Sequence, residues 1–160
     1  MPQIGGFFAD LSAEDNLNAV GEILIKDIKK RKLKIEELIS KFELDAVRKV
    51  EAKFLSGGMK RRLVISMSLL GDPEILLMDE PLAALDPQTI QMLQSIIIRL
   101  QSEYNLTILI TDHQARDLLV VCDKAVILSN SKIVAEGTPS QLMRNENAAK
   151  HYFGENFKFK

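Results

Sequence analysis

Ile75-Leu76-Leu77-Met78-Asp79-Glu80-Pro81 decides how this chain is read. Four consecutive apolar residues, stopped by two carboxylates and a proline, predict a short strand buried on both faces with acid groups at its C-terminal tip. Downstream, Asp86-Pro87 pairs an N-cap residue with proline at the first helical position, and Ile90, Leu93, Ile97, Leu100 and Tyr104 follow at helical spacing over about 18 residues. Leu106 to Ile110 is a second strand-type run, ending in Thr111-Asp112-His113 before another helical segment near Gln114. Strand, helix, strand is a crossover that leaves both strands parallel, so Asp79-Glu80 and Asp112-His113 are expected at one sheet edge, where open α/β sheets bind ligands. Ala125 to Leu128 and Ile133 to Ala135, separated by Ser129 to Lys132, predict a hairpin that completes the sheet.

Upstream the periodicity is helical. Ser56-Gly57-Gly58 opens a stripe of Met59, Leu63, Met67 and Leu70, closed by Gly71 and Pro73. Ser12 with Asp15 marks an earlier helix start, continued by Leu17, Val20, Leu24 and Ile28; Ile35, Leu38, Ile39 and Phe42 form a further stripe. The cations between Lys26 and Lys34 read as a solvated helix face, with contact to lipid head groups as the other reading. A formal charge of −1 and a pI near 6.1 give no global reason to expect nucleic acid or acidic lipid, so no nucleic-acid partner is expected. Cys122 is the only cysteine, which excludes an intramolecular disulfide and fits a reducing cytoplasm. The longest apolar run, Leu118 to Cys122, falls far short of the ~20 residues of a spanning helix, and Met1 to Phe8 does not read as a signal peptide.

Leu55-Ser56-Gly57-Gly58, then Ile75 to Pro81, then Ala84-Leu85-Asp86, then a strand ending at His113, together resemble the ABC transport ATPases. In that family these are the signature motif, Walker B with its glutamate, the D-loop and the H-loop, and Pro2-Gln3 resembles the Q-loop. Four motifs in this order make the match specific. The resemblance implies an α/β fold, a partial P-loop NTPase-type parallel sheet with a helical subdomain and without its N-terminal strands. It divides the chain into residues 1–71 (Q-loop remnant, helical subdomain, signature helix) and 72–160 (C-terminal part of the ATPase core).

The resemblance also implies roles. Asp79 would hold Mg²⁺ through water, Glu80 would orient or deprotonate the attacking water, and His113 would touch the γ-phosphate. Ser56, Gly57 and Gly58 would face ATP held by an opposite subunit, Asp86 would act across the dimer, and Gln3 would be the Q-loop glutamine. Phe8, Leu11 and Leu17 would line a groove for a short helix of a membrane subunit. Simpler readings stand beside these: Asp86 as a helix cap, Ser56 to Gly58 as an ordinary helix start, His113 as a sheet-edge histidine, His151 and Cys122 as structural residues. Pro2-Gln3, Phe8, Leu11, Asp15 to Leu17 and the tail Tyr152 to Phe157 look most like lipopolysaccharide-export ATPases, with branched-chain amino acid uptake ATPases second.

One family motif is missing from these residues. None of the eight glycines is followed by lysine, so no G-x-x-x-x-G-K-[ST] loop is present to cradle phosphates and supply a Mg²⁺ ligand. The expectation is a C-terminal fragment, from a split or shortened gene, that binds ATP and Mg²⁺ only with a polypeptide bearing Walker A and is inactive and loosely packed alone. Membrane subunits, and a second ATPase subunit or complementing N-terminal fragment, are the expected partners, at the cytoplasmic face of the membrane. A non-catalytic remnant or docking module is the alternative. Met59 and Met67 depart from the polar residue and the arginine usual in the family.

Overall fold

The computed structural model describes residues 6–145 and 148. The chain divides into two units, the first running to Pro81 and taking in Gln101–Ile110, the second holding Leu82–Leu100 and the chain from Thr111 onward.

In the first unit, α1 (Ala13–Leu24) starts where Ser12 Oγ accepts the Asp15 N–H at 3.1 Å and donates back to the Asp15 carboxylate at 2.6 Å. The expected stripe through Ile28 is interrupted. Asp27 caps a new helix, α2 (Ile28–Lys41), by accepting from the Lys29 and Lys30 amides at 2.8 and 3.0 Å. An aspartate that can satisfy two free N–H groups outcompetes continuation of α1. A third helix, α3 (Gly57–Ser68), begins at its Ser56 cap. It stops before Gly71, and the left-handed backbone after it falls on Asp72 (φ 45°).

The helix α1 packs on α2 and α3, with Leu17, Leu38, Ile39 and Leu63 fully buried. Arg48 fastens the group from outside, reaching Glu14 at 2.9 Å and Glu36 at 2.7 Å, while Lys49 adds a second cation to Glu14 at 2.5 Å. These bonds hold the Glu14 carboxyl at about 2, well below its ordinary value, the hydrogen bond from Arg48 contributing most.

Strand β1 (Ile75–Asp79) pairs with β2 (Thr107–Thr111). The Thr107 N–H bonds the Glu74 carbonyl at 3.0 Å, so the strands start side by side and run the same way, as the crossover rule requires. The expectation of burial on both faces is corrected. Leu76 and Met78 are buried, whereas Ile75 is 59% and Leu77 70% exposed, and Leu109 on β2 is 60% exposed. Only one face of this two-stranded sheet is covered among the described residues; a continuous apolar run records what a strand tolerates on each face, not what lies against it.

Between the strands runs α4 (Pro87–Tyr104), whose Ile90, Leu93, Ile97 and Leu100 are buried as their spacing predicts. In the second unit, a short helix α5 (Ala115–Leu118) precedes β3 (Ala125–Ser129) and β4 (Lys132–Gly137), an antiparallel hairpin closed by Asn130 and Ser131, both at positive φ. The hairpin forms its own sheet and does not complete that of β1 and β2. It packs with α6 (Pro139–Met143) around Leu119, Ile127, Ala135 and Leu142, and Cys122 lies against this cluster, its thiol pushed up by burial.

Candidate functional site

Three helix- and strand-end features of the first unit carry candidate residues. Asp79 is the exposed last residue of β1, and Glu80 follows in the left-handed region (φ 48°), which a non-glycine residue occupies only when its surroundings hold it there. One such hold is Arg61 on α3, whose Nη2 donates to the Glu80 carbonyl at 3.2 Å. Arg61 lies five residues after Ser56, so one guanidinium links the helix opened by Ser56-Gly57-Gly58 to the backbone that aims the Glu80 carboxylate. At the opening of α3 the Ser56 hydroxyl accepts from the Met59 amide at 3.3 Å, and Ser56 is exposed. A helix start of this composition presents backbone N–H groups and a favourable dipole to an anion.

The third feature is the loop at Phe8 to Ser12. Asn16, fully buried on α1, donates Nδ2 to the carbonyls of Phe8 (2.9 Å), Leu11 (3.1 Å) and Ser12 (2.9 Å), and its Oδ1 accepts the Phe8 N–H at 2.6 Å. Backbone bonds from Ala52 to Leu11 (2.8 Å) and from Lys53 to Ala9 (2.9 Å) tie the loop to the segment that leads into Ser56. Phe8 is 54% and Leu11 37% exposed, so both are accessible. Leu17 is not: it is fully buried, and the expectation that it lines a partner groove is corrected, because α1 turns that position into the helix packing.

In the second unit, the Asp112 carboxylate is fully buried, accepting the Leu82 N–H at 3.1 Å and the Gln114 N–H at 2.9 Å. It binds the loop after Glu80 to the turn after β2, and that loop contains Ala84 in the left-handed region (φ 56°). His113 stands outside this anchor, its side chain 64% exposed and Nδ1 3.8 Å from Asp112 Oδ1, beyond hydrogen-bond distance. Asp86 is exposed and engaged in its helix: it accepts from the Gln88 and Thr89 amides (3.1 and 3.0 Å) and the Thr89 hydroxyl (2.6 Å). These bonds, the Thr89 hydroxyl foremost, lower its carboxyl below the ordinary value. Gln3, His151 and the tail from Tyr152 lie outside the described residues.

The sequence did not single out Arg61, and it placed Asp112 and Asn16 within motifs without their anchoring roles. Asp112 two residues before Gln114 is the pattern of an aspartate bonding backbone ahead of it. Asn16 is a polar residue next to Leu17 on an apolar helix face, a usable signal. Nothing in one dimension ties Arg61 to Glu80.

No group of three or more potential metal-ligating side chains occurs among the described residues.

Residues 1–83 match the family model described as ABC transporter. The chain belongs to the ABC transporter family, and within it to the ATP-binding domains. It is 40% identical over 160 residues to the lipopolysaccharide export system ATP-binding protein LptB of Haemophilus influenzae, covering 99% of this chain and 66% of that protein. The protein of the same description from Escherichia coli K12 is 36% identical, with 99% and 66% covered. This chain thus spans slightly under two thirds of those relatives' length. Among solved structures, cbiO1 of Clostridium perfringens, part of the ABC transporter complex cbiONQ, superposes with a TM-score of 0.79 at 21% identity, covering 90% of this chain and 57% of that one. The fold is accordingly the α/β, P-loop NTPase type of ABC cassettes. Among the described residues no helix is long and apolar enough to cross a membrane.

Proposed function

We propose that this chain forms the signature and hydrolytic part of an ATPase that powers an ABC transporter, with the phosphate-binding loop supplied by polypeptide outside these 160 residues. The observation that carries the reading is the Asp79-Glu80 pair at the tip of β1, its left-handed backbone bonded through Arg61 to the helix that begins at Ser56-Gly57-Gly58. Residues 1–71 serve the signature helix and the contact with membrane subunits, and residues 72–160 serve hydrolysis.

ATP is the substrate, and Mg²⁺, when bound, offsets phosphate charge. Asp79 would hold that ion through water. Glu80 takes a proton from, or orients, the attacking water, and His113 donates toward the γ-phosphate. Ser56, Gly57 and Gly58 present N–H groups to the nucleotide of an opposite subunit, while Asp86 keeps its helix in register at that interface. Phe8 and Leu11, held out by Asn16, take a short helix of a membrane subunit. The relatives named for lipopolysaccharide export make that the favoured cargo, with the subunit peripheral at the inner face of the membrane.

The test is Mg²⁺-dependent ATP hydrolysis and nucleotide binding by the chain, by the chain with a family polypeptide bearing the phosphate loop, and by that pair carrying Glu80→Gln. The chain by itself should be inactive, since losing even one preorganised donor typically costs ~3–4 kcal/mol and here a whole cradle is missing. The pair should turn over, and Glu80→Gln should abolish turnover while binding persists. Robust hydrolysis by the 160 residues alone, or an unimpaired Glu80→Gln pair, refutes the reading.

A further inference from the structure

We propose that the turn between α1 and α2 and the first turns of α2 form a surface that rests on an anionic phospholipid bilayer. Lys26 to Lys34 holds six cations and one carboxylate in a chain whose formal charge is −1. The carboxylate, Asp27, is occupied by the Lys29 and Lys30 amides. Two of the cations are also engaged internally: Arg31 donates to the Ile25 carbonyl at 3.2 Å and lies 3.6 Å from Glu22, and Lys34 binds Asp72 at 2.6 Å. Lys26, Lys29, Lys30 and Lys32 are exposed and form no ion pair among the described residues.

Large apolar side chains stand among these lysines. Ile23 is 78%, Leu24 52%, Ile28 59% and Leu33 72% exposed. On the helical wheel Leu33 lies opposite the buried Ile35, Leu38 and Ile39, with Lys29 and Lys30 one turn before it. The acidic residues of the next turn do not oppose this field, because Glu36 is bound by Arg48 and Glu37 by Lys41.

Lysines interleaved with exposed Leu and Ile match the two attractions of a bilayer surface: a diffuse phosphate charge and an apolar layer beneath it. An acidic protein partner would be better met by arginine, whose planar fork directs paired bonds to a carboxylate; the one arginine in the segment is bonded inward. Each lysine side chain can lay its methylenes on the surface while its ammonium reaches a phosphate.

Flotation of the full chain with vesicles in a density gradient tests this, because aggregates sink while bound protein rises. The chain should float with phosphatidylglycerol-containing vesicles and not with pure phosphatidylcholine, and added salt should release it. Replacing Lys29, Lys30 and Lys32 with Gln, which has similar helix propensity, should weaken partitioning on the order of a hundredfold, about fivefold per lysine. Leu33→Ser should weaken it roughly tenfold. The pair Lys124→Gln and Lys132→Gln, cations of the second unit, should have little effect; far-UV circular dichroism confirms that each variant is folded. The proposal is overturned if flotation is absent or indifferent to lipid charge. It is equally overturned if the three Gln replacements leave it unchanged, if the second-unit pair reduces it as much, or if the chain binds polyglutamate while ignoring vesicles.

Discussion

Replacing Asn16 should unfasten the loop that presents Phe8 and Leu11. Its side chain makes four hydrogen bonds from a fully buried position. In Asn16→Ala the Ser12, Phe8 and Leu11 carbonyls each keep a backbone partner, the amides of residue 16 (2.9 Å), Leu11 (3.2 Å) and Ala52 (2.8 Å), so the Phe8 N–H is the group that loses its bond outright. Leaving that donor unpartnered costs about 1–3 kcal/mol, and the amide's bonds to the three carbonyls are lost with it. Alanine's better helix propensity returns about 0.5 kcal/mol, and water reaches part of this loop, so about 2 kcal/mol is expected. Asn16→Asp should be worse at neutral pH. One oxygen can still accept the Phe8 N–H, but the other faces three carbonyl oxygens, and an uncompensated buried charge costs about 3–5 kcal/mol.

The pH dependence separates the two variants. The buried Asp at position 16 would have a folded-state pKa raised above its unfolded value, so protonation favours the folded form. Its deficit should shrink as pH falls through that raised pKa and be least below the unfolded pKa of about 3.9, where the acid can donate as the amide did. Since the chain has no tryptophan, urea unfolding is followed by far-UV circular dichroism at neutral and mildly acidic pH. A cost under about 0.5 kcal/mol for Asn16→Ala, or an Asn16→Asp deficit that matches it at every pH, would refute the clamp.

Strand β1 should respond by face: Leu76→Ala should cost about 2–4 kcal/mol, while Leu77→Thr with Leu109→Thr should cost under about 1 kcal/mol and reduce self-association measured by light scattering. The Glu14 carboxyl, held at about 2, stabilises the fold above its unfolded value of 4.5 and loses that contribution as pH falls from there toward 2. After allowance for solvent screening this is about 1–2 kcal/mol, measurable as the difference in acid unfolding between the parent chain and Glu14→Gln. In the reconstituted ATPase, Arg61→Ala should lower kcat about tenfold with little change in KM, because it loosens the Glu80 backbone without touching nucleotide; a proportional rise in KM would point to a binding role instead.

Much of this protein was legible in one dimension. Caps are local, so Ser12, Ser56 and Asp86 announced their helices within four residues, and the stripes of Ile35 to Phe42 and Ile90 to Leu100 named buried faces. The motif order from Leu55 to His113 carried the family. Strand cover was not legible, because Ile75 to Met78 has the same composition whether one face or two is packed, and only the fold leaves Leu77 bare. Nor was the break at Asp27, where a cap interrupts a stripe whose spacing runs on to Ile28. The links that position the candidate site, Arg61 to Glu80, Asp112 to Leu82 and Asn16 to Phe8, join residues 19, 30 and 8 positions apart. Spacing determines which face of an element a residue occupies; which element comes to meet that face is decided by packing, and only the tertiary structure settles it.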